Sequence, residues 1–335
     1  MKSITIIGAG SWGTALAVHL NRNNCRISLW EFRPAVAEEL RRRRENVELL
    51  PGIEIPASIK ISSKLENLLS DRVEMLLFVV PSHVLRQVAR TVAPLITDAP
   101  LVVSAVKGIE NATCKRMSEV LREELPDAVA RRIVVLSGPS HAEEVSRQIP
   151  TSVVVASYDR EVAETVQNVF ISPRFRVYTN DDVVGVELGG ALKNIIAIAA
   201  GISDGLGFGD NAKGALLTRG LTEITRLGIS MGAEAITFAG LSGVGDLVTT
   251  CMSRFSRNRY VGEEIGKGKP PSEVLEGMVM VAEGVMTTKA AYELARRHHV
   301  EMPITNEVHA VLFEDKDPAQ AVADLMMRSA KAETW

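Results

Sequence analysis

The sequence has little that would tie it to a polymer or a surface. Its 335 residues carry 38 Lys and Arg against 41 Asp and Glu, a formal charge of −3. No excess of either sign calls for nucleic acid or an anionic membrane as partner. Phe, Trp and Tyr together make up 4%, too few for a base-stacking surface. The cysteines, Cys25, Cys114 and Cys251, are far apart and odd in number. They form neither a disulfide framework nor a metal-ligand spacing, and they suit a reducing compartment, the cytoplasm. No apolar run reads as long enough for membrane insertion. Lys2 followed by Ser3 to Ile7 has the outline of a signal peptide, but the polar Asn21 to Asn24 and the want of a cleavage-like site break that reading. With 46% hydrophobic residues over this length, the chain suits one large or two ordinary domains with sizeable cores.

What is present begins at the N-terminus. Ser3–Ile7 predicts a short strand. Gly8-Ala-Gly10-Ser-Trp-Gly13 follows, then a helix over Thr14–Asn23 and a second strand over Arg26–Trp30. This is the context a dinucleotide fingerprint needs. Gly8 permits a tight turn, Gly10 lets the backbone approach a pyrophosphate, and Gly13 lets the helix close on the strand. The helix N-terminus then turns free N–H groups and a positive dipole end toward the phosphates. Glu31 lies where an acid would take the ribose 2′-OH of NAD. Arg33 suits adenine stacking or the 2′-phosphate of NADP instead. The two signals conflict, with a slight lean to NAD.

Arg41–Arg44 reads as a solvated helix surface and Leu50-Pro51-Gly52 as a turn. Met75–Val80, Leu101–Val106 and Ile133–Leu136 are continuous apolar runs separated by helical stretches, the pattern of a parallel, doubly wound sheet. They end at Pro81-Ser82-His83, Lys107-Gly108 and Ser137 to Ser140. Ligands bind off such strand ends, so Lys107 is placed to meet an anion unless it is an ordinary loop lysine. His83 and His141 read as loop residues, since no third metal ligand accompanies them. Thr151–Ala156 and Arg174–Tyr178 extend the sheet by antiparallel or edge pairing.

After Thr179 the strand signals stop, which places a domain boundary near Asn180 to Asp182: residues 1–180 for the dinucleotide domain, 181–335 for a helical substrate domain. Glu187–Gly209 predicts a helix. Leu188, Leu192, Ile195, Ile196 and Ala199 make its core face, and Gly189, Lys193, Ala197 and Gly201 lie four apart on another. Lys193 is either a snorkelling lysine at a helix seam or a lysine that something packs against. Asp210–Gly232 predicts a long helix or pair with an Asp or Asn cap. Gly240 to Asp246 reads as a glycine-rich loop. Ser253 to Arg259 gathers Ser, Arg and Asn donors suited to phosphate or carboxylate, or else a solvated basic loop. Val279–Gly284 is an apolar run broken by Glu283.

Gly8 to Ala17, Ser137-Gly-Pro-Ser140 with Glu144-Val145, Glu187–Gly209 and Ser242–Arg259 together resemble the bacterial NAD(P)-dependent glycerol-3-phosphate dehydrogenases, and the likeness covers nearly the whole chain. The resemblance implies an α/β Rossmann-like N-terminal domain with a doubly wound sheet, plus an all-α C-terminal domain like that of 6-phosphogluconate dehydrogenase. It implies reduction of dihydroxyacetone phosphate to sn-glycerol 3-phosphate with NAD or NADP. Lys193 would be the general acid/base. Lys107, Gly138 and Ser140 would line the substrate from the sheet, with Asn194 beside the lysine. Asp246, Ser256, Arg257 and Asn258 would hold it from the helices. Ser11, Trp12, Phe32 and Arg33 would contact the dinucleotide at one end, and Lys107, Ala142, Arg257, Val281 and Glu283 elsewhere. The chain departs from the family pattern at His141, where phenylalanine is expected, at Leu49, where tyrosine often stands, and at Glu31, often neutral or basic. A ketoacid or β-hydroxyacid reductase and a dinucleotide sensor without turnover remain as other readings, and a homodimer stays open.

Overall fold

The computed structural model describes residues 2–278, 281–330, 332 and 333; Val279 and Met280 of the apolar run before Glu283 lie outside them. The described strands are β1 (Ser3–Ile7), β2 (Arg26–Trp30), β3 (Glu45–Asn46), β4 (Leu50–Glu54), β5 (Lys60–Ser62), β6 (Met75–Phe78), β7 (Leu101–Ser104), β8 (Ile133–Ser137), β9 (Thr151–Ala156) and β10 (Phe175–Asn180). Eight form one sheet in the order β10-β9-β8-β7-β6-β1-β2-β5, and β3 and β4 make a separate hairpin. Pairing in the large sheet is parallel except between β8 and β9. The order reverses between β1 and β6, and a crevice for ligand opens at such a point. Met75 and Leu77 of β6 face one core and Leu76 and Phe78 the other, which is why these strands read as unbroken apolar runs.

Helices α1 (Ser11–Arg22), α2 (Pro34–Arg43), α3 (Glu66–Leu69), α4 (Leu85–Val92), α5 (Met117–Glu124), α6 (Asp127–Ala130), α7 (Ala142–Ser146) and α8 (Arg160–Phe170) run between the strands. Two local expectations change. The first helix begins three residues before Thr14, directly on the glycine turn. Leu50-Pro51-Gly52 is not a turn but part of β4, bent where Gly52 takes φ +78°. Arg41 to Arg43 do lie in the last turn of α2, where cations meet the negative end of the helix dipole.

The helical half comprises α9 (Val183–Gly205), α10 (Asp210–Ser230), α11 (Ala235–Phe238), α12 (Asp246–Met252), α13 (Arg257–Gly266), α14 (Pro271–Glu276), α15 (Glu283–Arg297), α16 (Pro303–Phe313) and α17 (Pro318–Met326). Helix α9 is its axis, and α10, α12, α13, α15 and α16 pack on it. It starts and stops four residues earlier than the sequence suggests. Asp182 caps it, accepting from Gly185 N at 2.8 Å, and the chain leaves it through Gly207 at φ +77°. Every residue from Gly185 to Ile198 is buried, so the apolar and small-residue faces are both interior. By length and composition α9 could cross a membrane (23 residues, mean hydropathy 1.6), contrary to the sequence reading, but 89% of the apolar window is buried within the protein. Ala235–Met252 also passes on composition, yet a kink at Gly243 interrupts it.

Three further expectations are corrected. Gly209, not Asp210, caps α10; Asp210 sits inside the first turn, where its charge meets the positive helix end. Gly240 to Asp246 is less open than a loop: Leu241–Gly245 coil tightly, break helical geometry at Gly243 and run straight into α12 at Asp246. What packs on the small-residue face of α9 at Gly189 and Gly201 is the protein's own backbone. A methyl on Gly189 would lie 2.5 Å from Ser242 O, and one on Gly201 would collide with the Arg259 carbonyl. Reciprocally, a methyl on Gly262 of α13 would strike the Ile198 carbonyl, and one on Gly266 would lie 2.5 Å from Ile202 O. Helices α9 and α13 thus cross backbone to backbone through glycines four apart. Gly262→Ala should destabilise the protein by about 1–3 kcal/mol, the scale of overpacking a close-packed interior, read from urea unfolding; an unchanged midpoint would mean the crossing can spread at no cost.

Candidate active site

The carboxyl ends of neighbouring strands bring Gly8, Glu31, Ser82, Lys107 and Gly138 to one edge of the sheet. The fingerprint glycines divide into two kinds there. Gly8 has φ +119°, closed to most side chains, and a methyl on it would lie 2.7 Å from Val79 O. One on Gly13 would run into the Gly8 carbonyl. The turn against Val79 demands the first, and the packing of α1 on that turn demands the second. A methyl on Gly10 would meet nothing within 4 Å, and no side chain caps α1 at this residue. The bare helix end opens at Ser11 and Trp12, and its first-turn N–H groups have no acceptor within the helix. A dinucleotide pyrophosphate fits that cradle.

Glu31 and Arg33, which point to different cofactors, hold one another. Glu31 Oε1 accepts from Arg33 Nε at 2.8 Å and Arg33 N at 3.1 Å. Glu31 is buried, Arg33 is half-exposed, and its guanidinium lies 5.3 Å from the centroid of the exposed Phe32 ring. Ala142 opens α7, buried with Ala15 and Val18 against Trp12. At the helical rim Glu283 accepts from Ser82 N at 3.0 Å and Ser82 Oγ at 2.5 Å, and burial pushes its carboxyl up. Val281 O accepts from Arg257 Nη1 at 3.1 Å.

Deeper in the crevice the two halves meet on one carboxylate. Asp246, at the start of α12, accepts from Lys193 Nζ through Oδ1 and from Lys107 Nζ through Oδ2, each at 2.7 Å. Lys107 also donates to Gly138 O at 2.9 Å, where Ser140 Oγ joins it at 2.9 Å. Lys193 donates in addition to Thr250 Oγ1. Burial lowers the Lys193 ammonium to about 8; Asp246 opposes the shift and Lys107 adds to it. Burial alone would raise the Asp246 carboxyl, but Lys107 and Lys193 hold it below the usual range. Beside the pair, Asn258 Nδ2 donates to Asn194 Oδ1 at 2.9 Å, and Asn258 Oδ1 accepts from Gly284 N at 2.9 Å. Ser256 caps α13, accepting from Arg259 N at 3.2 Å, which presents Arg257 and Asn258 in that helix's first turn.

Three neighbours escaped the sequence reading. Thr250 lies one turn after Asp246, a spacing visible only once α12 is known to begin there. Ser82 reads in sequence only as the end of a strand, with nothing to signal its carboxylate partner Glu283. His141, a loop residue by sequence that stands where the family pattern has phenylalanine, has its ring centroid 6.0 Å from that of Phe255. Burial, then Lys193 and Lys107, lower its imidazole to about 4, so it adds no charge near neutral pH.

A Rossmann half whose bare helix end fits a pyrophosphate, joined to a helical half that supplies a buried lysine, defines a nicotinamide-dependent dehydrogenase. Residues 3–163 match the family described as NAD-dependent glycerol-3-phosphate dehydrogenase N-terminus, and residues 182–323 its C-terminus. The chain belongs to this family. It is 54% identical over 333 residues to glycerol-3-phosphate dehydrogenase [NAD(P)+] 2 of Salinibacter ruber, covering 99% of this chain and 96% of that one. It is 54% identical over 334 residues to the Geobacter sulfurreducens enzyme, covering 100% and 99%. The crystal structure of glycerol-3-phosphate dehydrogenase from Coxiella burnetii superposes with a TM-score of 0.93 at 40% identity, over 98% of this chain and 99% of that one.

Because Lys107 lowers the affinity of Lys193 for its proton, Lys107→Met should raise the pH midpoint for reaction of the Lys193 amine with an acylating reagent above about 8. A midpoint that stays or falls would show that the second lysine is not felt.

Proposed function

We propose that this chain catalyses the reversible NAD(P)H-dependent reduction of dihydroxyacetone phosphate to sn-glycerol 3-phosphate, the backbone of glycerophospholipids. The observation that carries this reading is Lys193, a buried ammonium lowered to about 8 and shared with Lys107 across Asp246. A donor in that range can give and recover a proton near neutral pH. The bound cofactor supplies the hydride that adds to C2 of the ketone. Gly8, Gly10, Gly13 and the end of α1 would hold its pyrophosphate, Glu31 to Arg33 its adenosine end, and Ala142, Val281 and Glu283 the remainder. As charge gathers on the C2 oxygen, Lys193 donates its proton there. Lys107 stabilises that oxygen from the sheet side. Asp246 and Thr250 aim the ammonium. In the reverse direction the neutral amine takes the proton from the hydroxyl.

The phosphate would fall to Ser256, Arg257 and Asn258. Among the described residues Arg257 spends one N–H on Val281 O, which leaves the rest of its five-donor fork for an anion. That surplus favours a phosphate over a lone carboxylate, and so this substrate over a ketoacid. D-mandelate dehydrogenase shares the fold at a TM-score of 0.62 and 14% identity, which speaks to architecture alone. A sensor without turnover would have no use for a proton donor. The Glu31–Arg33 pair supports either cofactor: Glu31 toward a ribose 2′-OH, Arg33 toward a 2′-phosphate. Three buried, unpaired cysteines support a cytoplasmic setting.

Lys193→Ala should cut kcat by about 10²–10⁴-fold, the usual contribution of a general acid, while NADH still binds; near-normal turnover would remove Lys193 from the chemistry. Reduction needs the protonated amine, so its rate should fall as pH rises through about 8, and oxidation, which needs the neutral amine, should gain through the same pH. Profiles flat across that range would point to another proton donor. Arg257→Ala should weaken substrate binding by about 1.5–3 kcal/mol, the scale of a hydrogen bond to a charged group; an unchanged KM for dihydroxyacetone phosphate would put the phosphate elsewhere.

A further inference from the structure

Glu187 opens the most distinctive stretch of the sequence and has no part in the chemistry above. Its carboxylate accepts from Arg116 Nη1 at 2.6 Å, Ser118 N at 2.8 Å and Ser118 Oγ at 2.6 Å. All three residues are buried. Burying such a pair seldom adds stability, because desolvation offsets the attraction, and apolar side chains of similar bulk are often as stable or more so. What a satisfied, directional cluster supplies is register, since only one arrangement meets every donor.

Its position makes register matter. Residues 107–116 leave the sheet beyond β7, beginning with Lys107, and fold back so that Ile109 bridges Arg116 antiparallel. Glu110 N donates to Lys115 O at 2.9 Å within this excursion. Ile109 and Cys114 insert into the core around α9, among Leu188 and Leu192. Arg116 and Ser118 then grip Glu187 on the same helix that carries Lys193. A short, stiff path therefore joins the two lysines behind Asp246. A slip of α9 along it would let the carboxylate satisfy one ammonium at the expense of the other.

We infer that Glu187, held by Arg116 and Ser118, is a positioning residue that sets the register of α9 against the Lys107 excursion and thereby the spacing of Lys193 and Lys107. Its activity readout rests on the reading of Lys193 as proton donor. The groups facing Lys193 are Asp246 and Cys251 from α12 and Lys107 and His141 from the sheet side, and none is altered in the test.

The test is the double variant Arg116→Met/Glu187→Leu. It should fold, with a lower melting temperature because Ser118 N and Oγ lose their acceptor, and bind NADH normally, yet lose about tenfold to a hundredfold in kcat, the cost of a small misplacement. The pH midpoint for acylation of the Lys193 amine should move away from the wild-type value. Wild-type kcat with an unmoved midpoint would overturn the inference and leave the cluster merely structural. If the double variant fails to fold, Arg116→Lys keeps the charge but loses the fork, and the same two readouts decide, with a smaller shift expected. Should the wild-type enzyme not turn over dihydroxyacetone phosphate, the functional reading fails on its own, and the labelling midpoint still decides this inference.

Discussion

Asp246 is the point on which the two halves of the molecule agree. A carboxylate this deeply buried is costly unless its oxygens are paired, and each oxygen takes one lysine, Lys193 from the helices and Lys107 from the sheet. The arrangement ties burial, charge and proton affinity together. One anion between two cations leaves a surplus positive charge, and that surplus, with burial, makes the Lys193 proton easy to give up. Removing water from the pair strengthens each interaction within it. On the reading proposed above, the same geometry would set both the proton donor and the field that meets a developing oxyanion.

Such a bridge works only if its supports do not drift, and the fold meets this with close packing rather than with bulk. Helix α9 is packed by α10, α12, α13, α15 and α16, and α13, which crosses it through glycines, brings Asn258 against Asn194. Asn194, next to Lys193, is bonded to Asn258, which holds Gly284 at the start of α15. Glu283 in turn reaches Ser82 on the sheet. A continuous set of bonds thus runs from the lysine helix, through the donors suited to phosphate, to the cofactor rim.

Much of the fold is legible in the sequence because its strands are buried on both faces and bounded by clear breakers. Arg26–Trp30 reads to the residue, and the glycine motif stands between β1 and α1 where its spacing requires. Local pattern carries less about the site. Periodicity shows that something packs on Gly189 and Gly201, but not that this is the protein's own backbone rather than a ligand. Glu31 and Arg33 look like rivals in sequence and are partners in space. Ser82 and Glu283 are 201 residues apart, and nothing in either neighbourhood announces the other. Lys107, Asp246 and the Ser256 to Asn258 donors gain a common purpose in the sequence only through family resemblance, since contacts across 139 residues, such as that of Lys107 with Asp246, leave no periodic trace.

A shifted proton affinity does not by itself mark chemistry here. Glu223 on α10 is raised to about 7 by burial, yet its oxygens accept from Ile304 N at 2.7 Å and Thr305 N at 3.2 Å. It caps α16 in place of a missing local cap. Two charge clusters on α9 show the same distinction. At Glu187 the anion is met by Arg116, which also pairs with Glu119, and by both Ser118 donors, so no positive charge is left over to attract an anion. Six residues on, the Lys193 cluster is equally buried but unbalanced, and Lys107, its outer member, remains partly exposed at 19%. An anion entering the crevice gains from the second cluster and not from the first. The first is a joint with no cation to spare; the second, on the reading proposed above, offers its surplus positive charge to a phosphorylated ketone.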